Sequence, residues 1–150
     1  MFSKKLKGLG GLLFTLLLLA IVVYVATGPQ QPAADSSSAS WLQRGTYSVG
    51  TTEFNFVDDS RSTTENRGFA GSSNRTLKTS IWYPQDLDEA LPLIIHSHGI
   101  MSQGNELANV AERLASHGYV VAAADYPLTI GQTPGGANAS DVTNQPADVS

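Results

Sequence analysis

The run Leu91-Pro92-Leu93-Ile94-Ile95-His96-Ser97-His98-Gly99-Ile100-Met101 constrains the fold more than any other part of the chain. Its apolar opening predicts a strand over 93–98 covered on both faces, the pattern of parallel or mixed sheets. The strand breaks off in His-Ser-His-Gly and leads into the clearest helix, Gly104 to His117. There Leu107, Val110, Ala111, Leu114 and Ala115 form one apolar stripe at i, i+3, i+4, i+7 and i+8. Gly118 is a natural C-terminal stop. Tyr119 to Ala124 is a second buried strand, ending at Asp125-Tyr126-Pro127. Strand, helix and strand within roughly 35 residues is the size of a right-handed βαβ unit. Backbone amides fixed at the His-Gly corner of such a unit can stabilise developing negative charge.

The preceding segments alternate. Gly45 to Val57 (GTYSVGTTEFNFV) predicts one or two antiparallel strands with Tyr47, Val49, Phe54 and Phe56 as its apolar set and Gly50 at a bend or bulge. Asp58 to Asn74 is polar and lacks the ligand spacing of a calcium loop, so it reads as a solvated connection. In Arg75 to Tyr83, Leu77, Thr79, Ile81 and Tyr83 face one way, and Arg75, Lys78 and Ser80 mostly away; Pro84 ends the strand. Gln85 to Ala90 is an acidic turn. The order implies an α/β architecture, a mixed sheet with antiparallel edge strands followed by a βαβ unit. Further on, the Gly-rich Thr129 to Ser140 is either a pocket rim or lid, or a surface connection. Asn144-Gln145-Pro146 reads as a helix start, with Asn144 as N-cap and Pro146 in the first turn.

Residues 1–28 read as an export signal. Lys4, Lys5 and Lys7 form a basic flank, and Leu12 to Ala26 is apolar apart from Thr15 and Tyr24. Residues 9–28 approach the roughly 20 residues needed to span a bilayer. The basic flank keeps the N-terminus cytoplasmic and places the rest outside the cytosol. Ala26-Thr27-Gly28 and Ala33-Ala34 are candidate cleavage sites, and Pro29 disfavours the first, which favours an uncleaved signal-anchor over a cleaved signal peptide. Residues 29–44, led by PQQPAADSSSAS, read as a flexible linker. The folded part starts near Trp41, with 45–150 as its body. With the three flanking lysines set aside, six basic residues face 13 acidic ones, a net charge of −7. This excludes a nucleic-acid partner, which demands basic faces. The absence of cysteine excludes a disulfide framework and a lipoprotein anchor.

The strand Arg75–Tyr83 with Pro84, then PLIIHSHG, the helix ending SHGY, VVAAADYP and NQPADVS occur in a characteristic order. Together they resemble the N-terminal part of α/β-hydrolases, in the dienelactone hydrolase and platelet-activating factor acetylhydrolase-like group of esterases, over residues 45–150. The resemblance implies an oxyanion hole in which the backbone N–H of Ile100 is one donor and Gly99 allows close approach of substrate. His98 would support the corner by hydrogen bonds. It implies serine-type ester hydrolysis through an acyl-enzyme, with no cofactor, on a small-molecule or lipid ester such as a short-acyl ester or phospholipid acetyl group.

In that fold the triad runs Ser, then Asp or Glu, then His along the chain. His96, His98 and His117 come too early to be the base and Asp125 too early to be the acid; His117 suits a helix C-terminus. No G-x-S-x-G occurs: Ser72-Ser73 lies in a polar loop and Ser97 precedes His-Gly on the strand. The triad is therefore expected beyond Ser150, and residues 1–150 alone are expected to be inactive, as a fragment or truncated product. Two other readings remain open. One is a non-catalytic, membrane-tethered hydrolase-like module. The other is a metal-dependent hydrolase using His96 and His98, which at a spacing of two would project from one strand face.

Overall fold

The computed structural model describes residues 2–85 and 87–150, with side chains from Gly11 onward. The side chains of Lys4, Lys5 and Lys7, and Asp86 of the acidic turn, lie outside the described residues. The chain divides into two compact units, Met1–Ser40 and Trp41–Ser150. The first holds α1 (Phe2–Thr27), a helix of 26 residues. At 1.5 Å per residue it is about 39 Å long. Its large apolar side chains from Leu12 to Val25 are exposed on every side rather than along one stripe. Among the described residues, no helix is both long and apolar enough to cross a membrane.

The second unit is built on a four-stranded sheet. Its strands are β1 (Val49–Asp58), β2 (Arg75–Pro84), β3 (Leu93–His96) and β4 (Val120–Asp125), in the spatial order β1-β2-β4-β3. β1 pairs antiparallel with β2 and β2 with β4, whereas β3 and β4 are parallel. A 3₁₀ turn (Gly104–Leu107) and α3 (Ala108–Ser116) link the parallel pair. This is the expected mixed sheet, with an antiparallel portion joined to a βαβ unit.

One sheet face carries the core. Trp82, Val121 and Ala123 pack with Ala111 and Ala115 of α3, bordered by Val49, Ile94, Leu114 and Tyr119. Leu107 and Val110, expected on the buried stripe, remain half-exposed. They do lie on the stripe, lining an open groove with Ile94, Ala111 and Leu114, but β3 is the sheet edge and no described element covers them there. Gly118 ends the helix at φ 101°, as its sequence position predicts.

Four other expectations are corrected. β1 is continuous: Gly50 sits in register opposite Tyr83, and a Cβ there would come within 2.6 Å of the Tyr83 ring. The glycine makes room for an aromatic ring and does not bend the strand. With no bulge to reset the alternation, Val49 faces α3 while Phe54 and Phe56 lie on the opposite face, exposed. β3 ends at His96 and is covered on one face only. Leu93 and Ile95 are 59% and 47% exposed, because β3 is a sheet edge and no described element packs over its second face. Residues 29–44 contain α2 (Ser37–Leu42), started by Ser36, whose Oγ accepts the Ala39 N–H at 3.1 Å. The end of that stretch docks on the C-terminus of α3. Trp41 lies 4.7 Å from the His117 ring, which approaches the Gln43 carbonyl at 3.1 Å.

Arg75 is the fourth. It shares the parity of Leu77 and Thr79, so it points with them rather than away, and it is 1% exposed. Its guanidinium bridges Asp141 (2.7 and 3.1 Å) and Asp148 (2.6 and 2.7 Å). Arg61 joins the cluster, 2.8 Å from Asp148 and 2.5 Å from Asp58. Burial opposes the Arg75 charge, but hydrogen bonds to Asp148 and Asp141 outweigh it and push its pKa up. The cluster ties a 3₁₀ turn (Ala139–Asn144) and α4 (Gln145–Asp148) to the start of β2. Asn144 is drawn into it as well, donating to Asp141 at 2.7 Å and making no side-chain cap. The capping side chain is Asn138, which accepts from the Ser140 N–H at 3.1 Å. Beside the cluster, the second sheet face forms an open groove of about 490 Å³ lined by Phe56, Leu77, Thr79, Ile95, Ala124 and Asp148.

Trp82→Ala should cost about 3–5 kcal/mol in a urea titration, since Trp82 fills the space between sheet and helix. Asp58, hydrogen-bonded by Ser60 and Arg61, has its pKa lowered to about 2. An unfolded carboxyl of this type titrates near 4, so its stabilising contribution is complete above about pH 4 and is lost as pH falls through about 2. Asp58→Asn should flatten that part of the pH–stability curve, measured as the urea midpoint from pH 5 to pH 2.

Candidate oxyanion corner

Parallel pairing of β3 and β4, with His96 opposite Ala123, delivers the segments that follow both strands to the same edge of the sheet. Residues 97–102 and 125–131 therefore meet. Ser97 Oγ lies 2.6 Å from the Tyr126 hydroxyl, and the Tyr126 ring is fully buried. Burial raises the Tyr126 pKa, with the Ser97 hydrogen bond acting against it and the Asp148 charge adding to it, so the phenol stays protonated. Asp125 Oδ1 accepts the Gly104 N–H at 2.7 Å, satisfying an amide at the start of the helical segment. That is a structural use of a carboxylate that triad order had already placed too early for catalysis.

His98 is 2% exposed and its ring centroid lies 5.0 Å from that of Tyr126. Its Nδ1–H donates to the Gly99 carbonyl at 2.7 Å, and its Nε2 accepts the Tyr126 N–H at 3.2 Å. One donor and one acceptor fix the Nδ1–H tautomer. The Gly99 carbonyl also accepts the Ser102 N–H at 3.3 Å. Among the described residues no peptide bond is cis, so the N–H of Ile100 points opposite to this pinned carbonyl. Among the described residues, that N–H has no acceptor. Beside Gly99 there is open space: a Cβ there would meet nothing within 4 Å.

The residue after Ile100 has a conformation that the sequence does not announce. Met101 has φ 66°, in the left-handed region that a bulky side chain adopts at a cost of about 1–3 kcal/mol. It is held there because its N–H donates to the Thr129 carbonyl at 2.7 Å, and the Gly131 N–H donates to Ser102 O at 3.2 Å. Gly131 has to be glycine, since a Cβ would lie 2.8 Å from the Met101 carbonyl oxygen. Thr129 and Gly131 thus give the Gly-rich loop a definite task as the second wall of the corner. Its glycines were the visible signal; the pairing partner was not.

His96 and His98 do not act together. The strand ends between them, His98 uses both ring nitrogens internally, and His96 Nε2 lies 3.3 Å from Glu106 Oε1. Glu106 in turn accepts from Ser102 Oγ. Among the described residues, no group of three potential metal ligands occurs. The metal reading of His96 and His98 is set aside on this geometry. Ser97 is engaged with Tyr126 just past the end of β3, and among the described residues its hydroxyl contacts no basic side chain.

A mixed sheet with a βαβ unit and this corner at the strand ends is the N-terminal part of an α/β-hydrolase fold. The chain belongs to the platelet-activating factor acetylhydrolase, isoform II family, whose model matches residues 19–127. Among solved structures it is similar to a ferulic acid esterase from Streptomyces cinnamoneus, with a TM-score of 0.52 and 20% identity. The match covers 67% of this chain and 44% of the esterase, so the chain spans less than half of that protein's length. At this identity the likeness concerns the fold. No match is found among curated proteins.

His98→Ala would leave the Tyr126 N–H and one bond to the Gly99 carbonyl unmade in a buried site. It should cost about 1–3 kcal/mol for each group left unpaired, read from a urea titration.

Proposed function

We propose that the chain is the N-terminal part of an exported, membrane-anchored serine esterase, and that the backbone N–H of Ile100 is one donor of its oxyanion hole. The observation that carries this reading is the Gly99–Ile100 peptide, whose carbonyl is pinned by His98 and Ser102 while its N–H has no acceptor among the described residues and the space beside Gly99 is open. Membership of an acetylhydrolase family supports carboxylic esters as substrates, with short-acyl or phospholipid acetyl esters as the specific class. The nucleophilic Ser, Asp and His belong to residues beyond Ser150 in the longer protein. The Ser attacks the acyl carbon, His takes its proton, and the Ile100 amide receives the charge that develops on the carbonyl oxygen. His98 supports the corner and performs no proton transfer. The chemistry requires no cofactor. Gly99 leaves room for the acyl group, because the fold itself makes no demand for a glycine there.

Anchoring is proposed through residues 9–28. Support comes from the continuous helix Phe2–Thr27, the exposed apolar side chains from Leu12 to Val25, and the lysines that precede them in sequence.

In the longer protein Gly99→Val should leave the melting temperature nearly unchanged and lower kcat on p-nitrophenyl acetate by up to about 10²–10³-fold, the worth of one oxyanion donor. Residues 1–150 alone should give no serine-dependent turnover. Unaltered kcat in Gly99→Val would overturn the assignment of the corner.

A further inference from the structure

We propose that Arg75 is a positioning residue for the Ile100 amide, acting through its ion cluster and the loop that braces the corner. This rests on the reading of that amide as an oxyanion donor. Arg75 grips Asp141 and Asp148, near the two ends of the segment 139–148. Arg61 adds a bond to the Ala147 carbonyl at 3.2 Å. Within the clamped segment, Gln145 Nε2 donates to Thr129 Oγ1 at 3.2 Å. Just before it, the Asn138 N–H donates to the Leu128 carbonyl at 2.7 Å. Thr129 is completely buried, and its carbonyl receives the Met101 N–H, one residue beyond the Ile100 amide. A charge cluster at the start of β2 is thereby connected by successive polar contacts to the residue next to the amide.

Each link has a reason to be stiff. The Arg75–Asp141 contact is a two-point fork between side chains with 1% and 2% exposure, which fixes orientation as well as distance. The Met101 backbone is strained, so it relaxes away from φ 66° once the Thr129 carbonyl withdraws. Relaxation of Met101 turns the Ile100–Met101 peptide, which adjoins through the Ile100 Cα the peptide that carries the Ile100 N–H. Stability alone does not require this route, because the core of Trp82, Val121 and α3 lies on the other face of the sheet.

The test is residue-resolved amide hydrogen exchange on the full chain with Gln145→Ala, Thr129→Val, Arg75→Lys and Arg75→Gln. Loss of one link should speed exchange of the Met101 and Gly131 amides about tenfold, with Ala115 and Val121 unchanged. Arg75→Lys should rescue part of the protection lost in Arg75→Gln, since lysine keeps the charge and loses the fork. In the ester-cleaving protein, kcat should fall in the same order with KM held. Gln145→Ala and Thr129→Val keep the cluster intact, so they report even if an Arg75 variant does not fold. Unchanged Met101 exchange in both, or acceleration no greater than that of Val121, would overturn the proposal. Selective loosening with kcat unchanged would leave the coupling standing and remove the oxyanion reading beneath it.

Discussion

The parallel pairing of β3 with β4 organises everything else in the folded unit. Parallel strands need a crossover, and that crossover is α3, whose Ala111 and Ala115 lie close against Val121 and Ala123 because both sides of the contact are small. Parallel pairing also sends both chain segments out at the same edge, which an antiparallel pair would not do. Two consequences follow directly: the segment after β3 can be braced by the segment after β4, and peptide groups from two distant parts of the sequence can be fixed against one another. The Met101–Thr129 and Ser102–Gly131 hydrogen bonds are that bracing.

Much of this was legible in the sequence, for identifiable reasons. The apolar runs at 93–95 and 120–124, the stripe at 111, 114 and 115 and the glycine at 118 are local signals. Each corresponds to a feature with a local cause: burial, helical period or a left-handed stop. What escaped was non-local. Arg75 reads as outward from its chemistry, although its parity with Leu77 and Thr79 places it inward. The missing information was two carboxylates 66 and 73 residues later in the chain that make burial of its charge tolerable. Phe54 and Phe56 group with Val49 by apolar character, although an unbroken strand puts them on opposite faces. Met101 could not have been found by composition, since its left-handed backbone is imposed by Thr129 and Gly131.

The two sheet faces differ in the kind of force that orders them. Against α3 the contact is apolar and close-packed. On the other face, order near the start of β2 comes from the ion cluster of Arg61, Arg75, Asp58, Asp141 and Asp148, with Leu77, Ala124 and Tyr126 as a small apolar patch beside it. A buried ion cluster is a weak source of net stability but a strong source of geometry, because its partners tolerate little displacement once desolvated. It therefore suits a segment that has to be held at a definite angle more than one that has only to be held.

That distinction bears on how the corner itself is built. A donor that receives developing charge is useful only if it is already oriented when the charge appears, since reorientation during reaction would cost what the interaction returns. The Ile100 N–H gains its orientation from the far side of its own peptide plane. His98 and Ser102 fix the Gly99 carbonyl, and planarity transmits the direction to the nitrogen. Because His98 accepts the Tyr126 N–H, its donating proton is committed to Nδ1 and aimed at that carbonyl. The histidine that a motif reading would most readily suspect of acid–base chemistry is thus one whose two ring nitrogens are both engaged within the corner, and its contribution is direction.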